Sequence, residues 1–436
     1  MRKVLFVSAE LPGHQLGFQQ SGQARYVSSF IDHLTGRGCK VVFLLIRPRV
    51  DFLALRRKDL PYKLVGRELA DVGDYVVVSS LTAGACAIAW TIFKNLPSRP
   101  MRWIHRLRSA VRRSRGYVHI VGRFPNDRDV AAVRRVAATE EPDLVLYDTI
   151  FASCGRLADV DHWVLTHDVK YKRIESFMGA GVRVYPDTFD KHCERRILSE
   201  AGNAIAIQWD DAAALRELAP GCRTVVVPAV IDAPISRPYE DEPSSICLFV
   251  ASGSFHNVHG ISWFLDECWP QIRRTAPGAS LDVIGTVCIP LAGTTIDGVR
   301  LLGVVGDIGP YYRRAAVVVV PLRVGSGLKV KIVEAIANHK ATVTTPVGAE
   351  GLARIEPLPF IVAATAAEFA DATSRVLTDG ALRRRLAAAA REAAPLFQPA
   401  QAFAEFVAAT TAGPSGSGSP SRSRTPLKAP TGGRYA

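Results

Sequence analysis

Residues 321–352 read PLRVGSGLKVKIVEAIANHKATVTTPVGAEGL, and they follow an unbroken valine run, Val317 to Val320. Four consecutive β-branched residues predict a buried strand. The segment Gly325-Ser326-Gly327 then reads as a turn, and the apolar spacing after it predicts a helix from Leu328 to about Ala337. A helix N-terminus carries unpaired amides and the positive end of the helix dipole, so such a turn attracts anions. Its glycines allow close approach to the backbone, and Lys329 and Lys331 add charge. The competing reading is a plain strand-helix turn, with Lys331 and Glu334 as an ordinary surface pair.

Outward from this stretch the chain alternates strands and helices. Further strands are expected at Ile246 to Val250, Leu281 to Ile284, Val299 to Leu302, Thr342 to Thr344 and Phe360 to Val362. An earlier set is expected at Val4 to Ser8, Lys40 to Ile46, Leu144 to Tyr147, Trp163 to Thr166, Ala204 to Ile207 and Thr224 to Val227, with a helix from the Ser21-Gly22 loop to about Arg37. Between the sets, residues 228–245 hold four prolines and the acidic run Glu240-Asp241-Glu242, a composition suited to an exposed linker. The pattern predicts an α/β protein of two doubly wound, Rossmann-like lobes facing across a cleft. Residues 1–232 form the first lobe, 233–245 the linker and 246–396 the second lobe, and residues 413–436, rich in Gly, Ser and Pro without an acid, read as a disordered basic tail.

Composition narrows the function. The 436 residues exceed what one hydrophobic core usually organises, and the net charge of +13 favours anionic partners. Eight scattered cysteines without a CxxC pair read as free thiols, which, with no signal peptide evident, points to the cytoplasm. Residues 75–93 form a 19-residue uncharged run long enough to span a bilayer, but its Ser, Thr and Gly content fits a buried strand and helix better. No nucleic-acid recognition module is evident.

The whole of 321–352 resembles the donor-binding signature of the family-4 glycosyltransferases of GT-B fold, in particular bacterial sugar transferases linked to exopolysaccharide production. The likeness rests on Pro321, Gly325 to Gly327, Lys331, Glu334 to Ala337 and Gly348 to Gly351, and on pieces in family order such as Thr166-His167-Asp168, Asp210-Asp211 and Ile284-Gly285. It implies retaining transfer of a sugar from a nucleotide-diphosphate sugar, held by the C-terminal lobe, to a glycan or lipid-linked acceptor held by the N-terminal lobe, with no cofactor and no metal.

On that resemblance Glu334 binds the nucleotide ribose, and Lys331 with Lys329 clamps the diphosphate. His167 contacts the donor sugar, and Gly22 is a close-approach glycine. Gly253, His256, Gly285, Gly325, Ser326 and Gly327 complete the expected donor-binding set. A last helix, about 397–411, is expected to return to the N-terminal lobe.

Three departures from the pattern stand out. Ser326 takes the place of a frequent glutamate. The loop Gly253 to Asn257 lacks the usual arginine and lysine, which His256 could partly replace. Asn338-His339 stands where glycine and proline usually end the signature helix; an Asn can adopt the left-handed cap, so the helix end is expected to survive. A nucleotide-sugar epimerase of the same fold and a catalytically weak nucleotide-sugar-binding scaffold remain as alternatives, since fold alone does not separate them. The arginine-rich stretch 94–115 suits docking on an anionic membrane surface, which would place the protein on the inner face of the cytoplasmic membrane.

Overall fold

The computed structural model describes residues 2–12, 22–46, 52–66, 69–72, 74–79, 118–119, 124–154, 157, 160–185, 189–230 and 244–411. The arginine-rich stretch 94–115, the helix expected after Ser79, most of the linker and the tail 413–436 lie outside the described residues.

Two parallel sheets form the frame. In the N-terminal lobe seven strands run in the spatial order Arg223–Val226, Asn203–Ala206, Asp161–Leu165, Leu144–Asp148, Lys3–Ser8, Lys40–Leu45 and Lys63–Gly66. In the C-terminal lobe six run in the order Val299–Gly303, Ser280–Ile284, Ile246–Val250, Val317–Val320, Thr342–Thr344 and Phe360–Val362. Most of these strands are near-continuous apolar runs because helices cover both faces of a parallel sheet. Val317–Val320, for instance, is buried at all four positions.

Strand register determines where the chemistry can gather. Val4 pairs with both Val41 and Leu144, so the carboxyl ends of these strands bring Ser8 and Asp148 to one edge of the sheet. The strand Asp161–Leu165 delivers His167 and Asp168 to the same edge. In the other lobe Ile284, Val250 and Val320 end at the corresponding edge, and the Gly325–Gly327 turn follows Val320. The two edges touch, since Gly325 N–H donates to Ser176 Oγ at 3.0 Å and Ser326 Oγ donates to Asp168 Oδ2 at 2.7 Å.

Not every strand follows the sequence reading. Tyr75–Ser79 does form, but it pairs antiparallel with Phe52–Arg56 and Leu69–Val72 in a separate three-stranded sheet. Only a two-residue connection separates Val72 from its register partner Tyr75, and so short a link permits an antiparallel pair alone.

The signature helix spans Val330–Ala337, starting later than Leu328 because Lys329 is still extended, at ψ 92°, outside the helical range. Its end stands at Ala337 as expected, through a different capping residue. His339, not Asn338, adopts the left-handed conformation at φ +52°, while Lys340 N–H reaches back to Ala335 O at 2.9 Å. That six-to-one bond is a Schellman closure, and Asn338 instead caps through its side chain, Nδ2 donating to Glu334 O at 2.8 Å.

After the helices Ala366–Thr378 and Gly380–Ala393 the chain crosses to the N-terminal lobe, where it forms the helix Ala404–Thr411. Phe403 meets Phe30 edge-on at 4.8 Å and stacks on His33 at 3.9 Å, and Phe406 meets Trp163 at 5.8 Å. Glu405 accepts from Val226 N–H at 2.9 Å, and Arg2 donates to Thr410 O at 2.9 Å. No helix among the described residues is long and apolar enough to cross a membrane. The cysteines at 39, 154, 193, 222, 247, 268 and 288 are all free thiols.

Candidate functional site

The Gly325–Gly327 turn lies against the other lobe. A Cβ added at Gly327 would stand 2.7 Å from His167 O and 2.9 Å from Asp168 Cβ, so only glycine lets the two backbones approach this closely. The sequence reading attributes the turn's glycines to anion binding, yet at Gly327 it is the opposite lobe that requires the glycine. At Gly22 the approach is looser, since a Cβ there would lie 3.3 Å from Val330 Cγ2, a side-chain atom at the start of the signature helix.

The two lysines of the signature differ sharply. Lys329 is buried, with its ammonium donating to Gly327 O at 2.5 Å and paired with Glu350 Oε2 at 3.3 Å. Burial pushes its pKa down and Glu350 opposes that shift. Lys331 has no ion pair or hydrogen-bonded side-chain partner among the described residues. Burial, reinforced by Lys329, pushes Lys331 down to about 8, with Glu334 acting in the other direction. A partly buried ammonium with no partner among the described residues is a ready acceptor of an anionic ligand.

Glu334 does not pair with Lys331. Its carboxylate is buried and bound across the cleft by the guanidinium of Arg25, from the helix Gly22–Gly36, and Tyr312 Oη donates to its other oxygen at 3.3 Å. A ribose binding at Glu334 would therefore exchange with Arg25.

His167 sits on the facing edge, its Nε2 2.5 Å from Asp148 Oδ1. Asp148 also accepts from Ser8 Oγ at 2.6 Å and Gln23 Nε2 at 3.2 Å. Burial works against the charge on Asp148, but His167, Ser8 and Gln23 outweigh it and hold its carboxyl below the usual range. The Tyr26 ring meets the imidazole edge-on at 5.3 Å. His167 is thus oriented by a buried carboxylate, leaving Nδ1 as its remaining polar atom.

The remaining expected residues occupy the rim. Gly285 holds φ +109° and donates to Gly303 O at 2.7 Å, and Gly253 N–H donates to Thr286 Oγ1 at 2.8 Å. His256 lies within electrostatic reach of Lys331, Arg173 and Lys329. Burial first, and then those three cations, push its pKa well below the ordinary value. A neutral imidazole does not substitute for a cation, so His256 offers hydrogen bonding in place of the expected charge replacement.

Several contributors were not identified from sequence. Asp168 bridges Ser326, Lys170 and Arg173, with Arg173 Nε at 2.6 Å. Burial disfavours its charge, but Arg173 and Lys170 keep its carboxyl well below the usual range. Asp148 and Arg25 belong to the same group of unrecognised residues. Deeper in the seam Gly351 N–H donates to Asp210 Oδ2 at 2.9 Å, and buried Asp211 is pushed up to about 7 by burial, then by Asp168 and Glu350, with Lys329 opposing. The available sequence signal was acid at a strand's carboxyl end, as at Asp148, and the Asp168, Lys170, Arg173 spacing entering a helix. Neither signal identifies a partner in the other lobe. Among the described residues no group of three or more His, Cys, Asp or Glu side chains is placed to hold a metal ion.

Residues 245–379 match the family model described as Glycosyl transferases group 1. The chain is similar in structure to sucrose-phosphate synthase from Thermosynechococcus elongatus, at 17% identity over 94% of this chain and 99% of that one, with a TM-score of 0.62. It is similar to WaaG, described as a glycosyltransferase involved in lipopolysaccharide biosynthesis, at 14% identity, covering 94% and 100% of the two chains with a TM-score of 0.53. It is also similar to Anabaena HepE in complex with UDP-glucose, at 14% identity, covering 94% and 100% with a TM-score of 0.58. No curated protein sequence matches the chain. At such identities the structural likeness establishes the fold, which is GT-B with two Rossmann-like lobes. A glycosyl transferase group 1 domain over residues 245–379, set within that fold, supports a glycosyltransferase.

Proposed function

We propose that the protein transfers a sugar from a nucleotide-diphosphate sugar to a glycan or lipid-linked acceptor, with retention of anomeric configuration, in the synthesis of a bacterial surface polysaccharide. The observation carrying this reading is Lys331, a partly buried ammonium with no ion-pair or hydrogen-bond partner among the described residues, placed in the first turn of the signature helix between the glycine turn and Glu334. The UDP-glucose held by the similar HepE structure favours a donor of this class.

In the proposed reaction the acceptor oxygen bonds to the anomeric carbon as the bond from that carbon to the phosphate oxygen breaks. The acceptor proton passes to the leaving phosphate on the same face, and the nucleoside diphosphate departs. Negative charge grows on the phosphate during this step, where Lys331 and the amides of the turn would stabilise it. Glu334 would exchange Arg25 for ribose hydroxyls, and His167, held by Asp148, would contact the donor sugar.

Incubating the protein with UDP-, GDP- and ADP-sugars, with and without lipid-linked oligosaccharide acceptors, should release nucleoside diphosphate only when donor and acceptor are both present. Conversion of a donor into its epimer without an acceptor would favour an epimerase. Binding without turnover would favour a scaffold.

A further inference from the structure

We infer that Arg173, carried by the N-terminal lobe, is the permanent cation of the phosphate site and completes that site when the lobes meet. This rests on the reading of the site as one for a nucleoside diphosphate.

The helix Lys170–Gly179 is held against the C-terminal lobe on both sides of Arg173. On one side Asp168, just before the helix, accepts from Ser326 Oγ at 2.7 Å. On the other, Ser176 Oγ accepts from Gly325 N–H at 3.0 Å, and the Phe177 ring lies 5.5 Å from Phe255, the neighbour of His256. Arg173 lies between these contacts on a helix face shared with Ser176, three residues on. Its Nε is 2.6 Å from Asp168 Oδ2, its terminal nitrogens have no ion pair among the described residues, and its side chain is 30% exposed.

The neighbouring cations cannot fill this role alone. Lys329 is engaged by Gly327 O and Glu350. Lys331, pushed down to about 8, loses a growing share of its charge in mildly alkaline solution. His256 is neutral. A guanidinium keeps its charge at any working pH and presents a planar fork that matches two phosphate oxygens. Because Arg173 belongs to the opposite lobe, its charge reaches the phosphate only with the cleft closed, which links closure to stabilisation of the leaving group.

Binding of UDP, GDP and ADP is measured by calorimetry for the parent, Arg173→Gln and Lys331→Ala, with uridine, guanosine and adenosine as phosphate-free controls. Arg173→Gln should weaken the diphosphate that the parent binds by at least tenfold and leave the matching nucleoside unchanged. Should Arg173→Gln lack a cooperative thermal transition, Arg173→Lys keeps the charge and the Asp168 partner but loses the fork, and should weaken the diphosphate severalfold with the same selectivity. Unchanged diphosphate affinity, or equal weakening of diphosphate and nucleoside, overturns the inference. If Lys331→Ala weakens the diphosphate and Arg173→Gln does not, the assignment of Arg173 alone is lost. If the parent binds none of the three diphosphates, the functional reading and this inference are lost together.

Discussion

Along the cleft the two lobes touch through Arg25 and Glu334, Ser326 and Asp168, Gly325 and Ser176, and Gly351 and Asp210. Behind the cleft the C-terminal helix is seated on the N-terminal lobe by Phe403 and Phe406 against Phe30, His33 and Trp163. The difference is one of exchangeable against permanent contact. A hydrogen bond in the cleft contributes only about 0.5–1.5 kcal/mol net, because water or a ligand hydroxyl can replace either partner. Buried aromatic surface has no such substitute, since opening that seam exposes it to water. The cleft can therefore exchange its contacts for those of a ligand while the rear seam holds the lobes together.

The largest effect that would test this contrast is on the rear seam. Phe406→Ala should lower unfolding stability by about 3–5 kcal/mol in denaturant titration, as expected for removal of a buried aromatic. A loss below about 1 kcal/mol would mean that this seam is no firmer than the cleft. Next, Lys331→Ala should lower kcat/KM at least tenfold, roughly 1.4 kcal/mol of transition-state stabilisation, with little change in melting temperature. Full kcat/KM in that variant would remove Lys331 from the site.

A pH profile sharpens the same point. The Lys331 ammonium loses its proton above about 8, so kcat/KM of the parent should fall as pH rises through that value. One unit higher the fall should be roughly tenfold, whereas Lys331→Arg should stay flat across the range. A parent profile without a break between pH 7 and 9 would contradict the assignment of this charge. The smallest effect belongs to Arg25→Ala. Removing it should raise nucleotide affinity severalfold, because Glu334 no longer has to be freed. Weaker nucleotide binding in Arg25→Ala would show that Arg25 holds the ligand rather than competing with it.

How far the site could be read from sequence differs from residue to residue. The strand Val317–Val320 and the helix after it were legible because valine runs and 3.6-residue spacing are local properties. Lys331 and Glu334 could be named from their place in the signature, yet the partner of Glu334 could not, since Arg25 lies 309 positions away. Nothing in the sequence marks out Asp148 at the end of the strand Leu144–Asp148, and only its neighbours Ser8, Gln23 and His167 give it a task. His339 takes the left-handed position while Asn338 caps Glu334 O through its side chain, a choice that propensity alone leaves open.

By itself, then, the sequence determined two parallel α/β lobes, the strand-turn-helix of 317–337 and the glycines within it, all through near-neighbour sterics and hydrophobic period. Only the tertiary structure decided what Gly327 accommodates, which lysine has no partner among the described residues, and that Asp168, paired with Arg173, meets Ser326 from the other lobe. The physical reason is that burial and charge pairing depend on distance through space. In this fold the distances that matter join carboxyl edges of two sheets that are far apart along the chain.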